Sequence, residues 1–215
     1  MMPVDFAALA QQCAPSVHPT TLQAVVRTES GFNPYAIGVV GGRLARQPRN
    51  VEEAVATARA LEAGGWNYSV GLGQVNRRNF ARYGLDVVSA FDPCANLRAG
   101  AAILSDCYTR ALSRQPSQQK ALLASFSCYY SGNFERGFRA DSGGTSYVQR
   151  IASNVSQAAA SAVVAAPIQV IPEKTSNATA APRIAQKVIK ALDQQPTADL
   201  APAQRGWDAF GSFRR

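Results

Sequence analysis

A glutamate occupies the apolar face of the first helix that the amino-acid sequence predicts. Pro19 suits the first position of this helix and Gly31 suits the residue after its end. One face of this helix carries Leu22, Val25, Val26 and Glu29. Because burial disfavours the charged form of a carboxyl group, we expect the pKa of Glu29 to be raised. A carboxyl group that stays protonated near neutral pH can donate a proton as a general acid.

A structural interpretation of Glu29 competes with this catalytic one. A glutamate at a fraying helix end can turn outward or pair with an arginine, and it then takes no part in chemistry. The helix alone favours this simpler alternative, so the other segments of the chain must decide between the two.

The further helices begin at residues that commonly cap helices. The predicted caps are Asn50, Asp92, Ser117 and Ser146. The stretch 66–76 is aromatic, β-branched and rich in glycine, which predicts a short strand or a pair of loops, and residues 36–42 read as a glycine-bearing loop. The pattern predicts an α+β domain that is predominantly α-helical, with a small β or loop region.

The composition changes near residue 158 to one dominated by Ala, Pro, Gln, Thr and Ser. Such a segment buries too little apolar area to offset the entropy of ordering, so we expect a domain over 1–157 and a mostly disordered tail over 158–215. Residues 207–215 place three aromatic side chains beside two arginines. That end is typical of a docking peptide, and an inert terminus is the equal alternative.

Charge and hydropathy narrow the classes of partner. The chain has 22 Lys and Arg against 14 Asp and Glu, a net charge of +8, without a dense basic run. We therefore expect no nucleic-acid partner and a mild preference for an anionic polymer. No stretch approaches the roughly 18 to 20 apolar residues that span a bilayer, so we expect no transmembrane segment.

The first ten residues resemble a signal peptide only in their Ala-Leu-Ala ending. They lack a basic region, and their short apolar run carries Asp5. We expect one of three explanations: the true start of the chain lies further upstream, export uses another route, or the Ala-Leu-Ala ending is a coincidence.

Four cysteines stand at positions 13, 94, 107 and 128, without a Cys-x-x-Cys pair and with a single histidine, His18. This pattern disfavours structural zinc and fits two disulfides in an oxidising compartment, with four buried free thiols as the alternative. Three pairings are possible. Cys107 and Cys128 lie on successive predicted helices joined by a short turn, so we favour Cys107–Cys128 and, by remainder, Cys13–Cys94.

Three separated segments place polar or aromatic side chains beside glycine where an element ends. They are Glu-Ser-Gly at 29–31, Gly-Leu-Gly-Gln at 71–74 and Cys-Tyr-Tyr-Ser-Gly-Asn at 128–133. In this order, and with Phe-Asp-Pro at 91–93 between the last two, they resemble the motifs of the lytic transglycosylases of the lysozyme-like superfamily. The resemblance covers roughly residues 15–155 and implies a lysozyme-like fold that cleaves peptidoglycan.

Within that superfamily the chain looks most similar to the VirB1-like transglycosylases of type IV secretion systems. The features that carry this similarity are Asn-Pro-Tyr-Ala-Ile-Gly at 33–38, Gly-Gly-Trp-Asn at 64–67 and the segment 128–133. The resemblance implies a periplasmic enzyme that opens the cell wall locally for secretion or conjugation, whose tail binds proteins of the secretion apparatus. It implies neither a cofactor nor a metal ion.

Motif positions assign candidate roles to individual residues. By resemblance, Glu29 is the catalytic residue, Ser30 orients it or the substrate, and Gln74 binds sugar. The same resemblance implies that Tyr129 and Tyr147 line the cleft, with Tyr147 near the carboxyl group, and Tyr130 is a further candidate for contact with the substrate. Each of these has a structural alternative, in which Ser30 only caps its helix, Gln74 only fixes its loop and the tyrosines belong to the core.

Two positions depart from the family motifs. Gly73 stands where methionine is common, and we expect little effect because the backbone turn survives. Tyr130 replaces the usual asparagine, which leaves Asn133 or Asn96 as a substitute donor to the substrate.

A conventional glycosidase needs a second carboxylate about 5 to 9.5 Å from the first, and none is evident beside Glu29. A transglycosylase works without it, because the muramyl 6-hydroxyl attacks its own anomeric carbon while Glu29 serves as acid and then as base. The resemblance thus implies a 1,6-anhydromuramyl product. The alternatives are a catalytically weak peptidoglycan-binding assembly module and, less favoured, a cysteine hydrolase that uses His18.

Overall fold

A computed structural model of the chain describes residues 5–141 and 143–161, with side chains up to residue 156. Its α-helices are α1 (Phe6–Cys13), α2 (Pro19–Ser30), α3 (Val51–Ala63), α4 (Pro93–Leu112), α5 (Gln118–Ser131) and α6 (Tyr147–Ser161). Three short strands are β1 (Ile37–Val39), β2 (Tyr68–Val70) and β3 (Val75–Asn76). Single turns of 3-10 helix are Arg77–Asn79, Ala81–Tyr83, Ser89–Phe91 and Arg136–Phe138. The α+β, mainly helical class is confirmed.

All four capping residues that the sequence predicted begin their helices. Asn50, Asp92, Ser117 and Ser146 each accept a hydrogen bond from a backbone N–H in the first turn of α3, α4, α5 and α6. These contacts satisfy donors that a helix start leaves without an internal partner. Helix α2 begins with Pro19 and ends at Gly31, whose φ of 59° is the left-handed conformation that glycine adopts without strain.

Helix α1 was not predicted from the sequence. The side chain of Asp5, which argued against a signal peptide, caps this helix by accepting a hydrogen bond from the N–H of Ala7. Ala10 and Cys13 are buried on its inner face. With eight residues the helix is short, so its stability depends on packing rather than on intrinsic propensity.

The three strands form one antiparallel sheet in the order β1-β2-β3. Ile37 pairs with Val70, and Ser69 pairs with Asn76. The prediction of a loop over 36–42 was therefore wrong in part, since β1 occupies its middle. Three residues are too few for an alternating pattern to mark a strand in sequence.

Two large groups of buried side chains and a small third one between α4 and α5 hold the described domain together. The first joins α1, α2, α4, α5 and α6, and its large members include Leu97, Leu104, Leu122, Phe126 and Ile151. The second lies beneath the sheet and α3, and its members include Tyr68, Val70, Val75 and Phe91. The sheet and the helical body therefore have separate cores, and α4 contributes residues to both.

Both favoured disulfides are present. Cys13–Cys94 joins α1 to the start of α4, and Cys107–Cys128 joins α4 to α5. No described cysteine is free.

The prediction of a domain boundary near residue 157 falls inside α6, which continues to Ser161. The rest of the predicted tail, including the docking peptide at 207–215, lies outside the described residues. Within the described part of the chain, no helix is both long and apolar enough to cross a bilayer.

Candidate active site

A cavity of about 530 Å³ opens between the sheet and the helical body. Glu29 reaches it from the last turn of α2, strands contribute Val39 and Val75, and the end of α5 contributes residues 129–132. Among the described residues that line it, Glu29 is the only acidic group and Arg78 the only basic one. The cavity thus presents one carboxyl group to whatever it binds.

The carboxyl group of Glu29 is held by Tyr147, whose hydroxyl donates a hydrogen bond of 2.5 Å to Oε1. Glu29 remains partly accessible through the cavity, while Tyr147 is almost fully buried. Burial raises the pKa of Glu29 from 4.5 to about 7, and the bond from Tyr147 and the charge of Arg150 partly oppose this rise. A large fraction of Glu29 is therefore protonated at neutral pH.

Tyr130 packs on Tyr147, another tyrosine that the sequence predicted for the site. Its ring stacks on that of Tyr147 with centroids 4.6 Å apart and planes inclined by 15°. The Tyr130 side chain is 40% exposed and lines the cavity. It thus adds an accessible aromatic surface to the cavity wall, next to the residue that holds Glu29.

Tyr129 connects α5 to the glycine-rich loop at 71–74. Its hydroxyl donates a 2.5 Å hydrogen bond to the carbonyl of Gly73. A Cβ atom added at Gly73 would lie 2.9 Å from that hydroxyl, and one added at Gly100 would lie 3.0 Å from it. A Cβ atom at position 73 would therefore require the Tyr129 hydroxyl to shift, and glycine leaves room for its hydrogen bond. The expectation that glycine matters little at this position stays a prediction.

Ser30 and Gln74 fix the same loop from two sides. Ser30 Oγ donates to the carbonyl of Leu72 at 2.8 Å. Gln74 Nε2 donates to the carbonyls of Ala36 and Gly71 at 3.0 and 3.1 Å. The structural alternatives for both residues thus describe real contacts, but Gln74 also lines the cavity, and its Oε1 has no hydrogen-bond partner among the described residues.

Asn96 does not face the cavity, which corrects its prediction as a substrate donor. Its side chain is 1% exposed, donates to the carbonyls of Val70 and Ala90, and accepts from the N–H of Gly73. A Cβ atom at Gly71, where φ is 77°, would lie 2.3 Å from Asn96 Nδ2. Asn96 is therefore a buried support for the loop, and both of its amide N–H groups are used within the protein.

Asn133 likewise serves the backbone. Its Oδ1 accepts hydrogen bonds from the N–H groups of Glu135 and Arg136, in the turn that follows α5. The residue is exposed and lies outside the cavity lining. The prediction that Asn133 replaces the usual substrate donor has no support in this arrangement.

The structure adds polar groups that sequence reasoning missed. Asn67, Ser69, Asn76 and Arg78 all line the cavity from the sheet and the 3-10 turn after it. The sequence of residues 66–76 predicted only a short strand or a pair of loops, so it did not show which of these side chains point into the cavity.

His18 and the cysteines do not form a nucleophilic site. His18 Nδ1 accepts a 3.3 Å hydrogen bond from the N–H of Thr20 and so caps α2. Because every described cysteine is in a disulfide, no thiol is available to attack a substrate. Among the described residues, no cluster of three or more metal-ligating side chains occurs.

Comparisons with known proteins agree with this geometry. A family model described as the transglycosylase SLT domain matches residues 6–136. The chain is 49% identical over 213 residues to the type IV secretion system protein virB1 of Brucella suis, covering 97% of this chain and 87% of the relative. It is 34% identical over 215 residues to the protein virB1 of Agrobacterium fabrum, covering 98% and 72%. No solved structure matches the chain.

Proposed function

The chain belongs to the SLT transglycosylase family as a VirB1-like lytic transglycosylase, and we propose that it cleaves the β-1,4 bond between N-acetylmuramic acid and N-acetylglucosamine in peptidoglycan. The observation that carries this proposal is Glu29, a carboxyl group with a raised pKa that opens into the cavity. Glycosidic cleavage needs such an acid to protonate the leaving oxygen.

In the proposed reaction Glu29 acts twice. The protonated carboxyl group gives its proton to the glycosidic oxygen, and the bond from that oxygen to the muramyl anomeric carbon breaks. The 6-hydroxyl of the same muramyl residue then attacks the anomeric carbon, and the Glu29 carboxylate takes up the hydroxyl proton. The products are a 1,6-anhydromuramyl end and a free N-acetylglucosamine end, and Glu29 returns to its protonated form.

The charge distribution in the cavity supports this intramolecular route. A second carboxylate that activates water or attacks the sugar would have to lie about 5 to 9.5 Å from the first. Glu29 is the only acidic residue among the described lining residues. A pKa of about 7 also suits a group that must be an acid in one step and a base in the next.

The neighbouring side chains take supporting roles in the proposal. Tyr147 orients the Glu29 carboxyl group through its hydrogen bond. The Oε1 atom of Gln74 accepts a hydrogen bond from a sugar hydroxyl, since its amide N–H groups are already used. The exposed ring of Tyr130 packs against the glycan, and Arg78 attracts its carboxylate-bearing peptides.

We place the activity in the periplasm, where it opens the cell wall locally for a type IV secretion or conjugation apparatus. Two disulfides fit an oxidising compartment, and the relatives from Brucella are named as type IV secretion system proteins. In the same proposal, a domain over 1–157 carries the reaction and the segment 158–215 binds proteins of the apparatus.

Digestion of purified peptidoglycan tests the reaction, with mass spectrometry of the released muropeptides. We expect anhydromuropeptides from the unmodified chain, none from Glu29→Gln, and unchanged release from Glu52→Gln, which removes an exposed carboxylate on α3. Reducing ends instead would indicate a hydrolase. Peptidoglycan binding without any release would indicate the catalytically weak assembly module.

A further inference from the structure

Two side chains contact the ring of Tyr147, and both are bonded to Asp141. The first is Tyr130, stacked on the ring with centroids 4.6 Å apart. The second is Arg150, whose guanidinium carbon lies 5.8 Å from the ring centroid. Tyr147 in turn donates its hydroxyl hydrogen to Glu29. Two residues therefore stand between Asp141 and the carboxyl group in the cavity: Arg150 or Tyr130, and then Tyr147.

The contacts of Asp141 fix both neighbours at once. Its Oδ2 accepts a 2.9 Å charge-assisted hydrogen bond from Nη2 of Arg150, and its Oδ1 lies at a longer 3.5 Å from the hydroxyl of Tyr130. Arg150 also donates to the carbonyl of Thr145 at 3.2 Å. The side chains of Asp141 and Arg150 are 27% and 37% exposed, so water does not fully screen the pair.

Neither the comparisons nor the sequence motifs give Asp141 or Arg150 a role. The family model ends at residue 136, before Asp141, Tyr147 and Arg150. The contacts arise because the loop before α6 returns to the end of α5, where Ala140 pairs with Ser146. This short bridge holds Asp141 beside Arg150 and Tyr130.

We propose that Asp141 is a positioning residue for glycosidic cleavage: it holds Arg150 and Tyr130 against Tyr147 and thereby fixes the Glu29 carboxyl group for proton transfer. This inference rests on the proposed function, since it assigns Asp141 a part in the same reaction. Asp141 touches no substrate and acts only through its neighbours.

Electrostatics gives this arrangement a signature that simple packing lacks. The groups that face Glu29 are Tyr129 from α5 and Tyr147 and Arg150 from α6. Arg150 and the hydrogen bond from Tyr147 both favour the charged form of Glu29, and Asp141 holds Arg150 through an ion pair. Arg150→Gln should therefore raise the pKa of Glu29. Asp141→Asn should raise it by a smaller amount, because Arg150 then loses the ion pair that holds it beside Tyr147.

Two measurements on the full chain test the proposal. Carboxyl carbon NMR gives the pKa of Glu29 directly, and initial rates on peptidoglycan across pH give kcat and KM. We expect the pKa of Glu29 to rise by about 0.5 pH unit in Arg150→Gln and by less in Asp141→Asn. We also expect kcat to fall about tenfold in Asp141→Asn with little change in KM, because misplacing a catalytic group slows the chemical step.

Asp106→Asn provides the matched control, since Asp106 forms a similarly exposed ion pair with Arg110 on α4. It should leave the Glu29 pKa and the rates unchanged. An unchanged or lowered pKa of Glu29 in Asp141→Asn, or an unchanged kcat in that variant, would overturn the inference. Lack of cleavage by the unmodified chain would instead contradict the proposed function. The pKa values from NMR would then still show whether Asp141 acts on Glu29 through Arg150.

Discussion

The hydroxyl of Tyr147, at the start of α6, donates a 2.5 Å hydrogen bond to Oε1 of Glu29, at the end of α2. The two residues are 118 positions apart in the sequence. The bond stabilises the charged form of Glu29, while burial of the same group favours the neutral form. The balance between these effects gives a pKa of about 7, close to the pH at which a group that both donates and accepts protons is most effective.

Tyr147→Phe removes the hydroxyl and keeps the ring that Tyr130 stacks on. We expect the pKa of Glu29 to rise, so the decline of activity at high pH should move to higher pH. We also expect kcat to fall by about one to two orders of magnitude, because the carboxyl group loses its fixed orientation. A pH profile of anhydromuropeptide release measures both effects. Tyr83→Phe, which removes a hydroxyl outside the cavity, should leave the profile unchanged; identical profiles for both variants would contradict this role.

Glu29 should make the protein less stable as pH rises. Since its pKa is 4.5 when unfolded and about 7 when folded, the folded state binds more protons between these values. Glu29→Gln should therefore hardly change the free energy of unfolding at pH 4 and should stabilise the protein at pH 8. The gain in the free energy of unfolding at pH 8 is at most about 3 kcal/mol, and solvent access through the cavity makes it smaller. Urea unfolding at both pH values measures this difference, and a benefit that is equal at both would be inconsistent with a raised pKa.

Asn96→Ala should destabilise the fold by about 2 to 4 kcal/mol, since it leaves the N–H of Gly73 and the carbonyls of Val70 and Ala90 without their buried partner. Equilibrium unfolding in urea measures the loss. Asn79→Ala is the control, because the Asn79 side chain makes no hydrogen bond to any described residue. An Asn96→Ala protein that keeps its full stability but binds sugar less well would instead favour the prediction that Asn96 contacts the substrate.

The two disulfides should contribute unequally to stability. Loop-closure entropy predicts up to about 4.5 kcal/mol for Cys13–Cys94, with a separation of 81 residues, and about 3.3 kcal/mol for Cys107–Cys128, with a separation of 21. Thermal unfolding of the two paired Cys→Ser variants compares them. We expect the lower melting temperature when the first pair is removed, and the reverse order would show that the shorter link matters more in the folded state.

Local chemistry made much of the fold predictable from sequence. The caps Asn50, Asp92 and Ser117 and the glycine after α2 act within one helical turn, so short patterns reveal them. Glu29 was visible for the same reason, because its place on an apolar face follows from helical periodicity alone.

Contacts between distant segments escaped the same reasoning. Asn96 was predicted to bind substrate, yet whether an asparagine near a motif points to a cavity or to a loop backbone depends on tertiary packing. The bonds from Asp141 to Arg150 and Tyr130 depend on the path of the loop before α6, which no periodicity encodes. Strand β1 was missed because its pairing partner, and not its own sequence, makes it a strand.

Digestion of peptidoglycan in water enriched in oxygen-18 tests most directly whether Glu29 works as the sole acid and base. When the muramyl 6-hydroxyl closes the ring, no solvent oxygen enters the product. We predict unlabelled 1,6-anhydromuramyl ends from the unmodified chain and no cleavage by Glu29→Gln. Muramyl ends that carry oxygen-18 would mean that water attacks the anomeric carbon, and they would contradict the intramolecular reaction that Glu29 is proposed to catalyse.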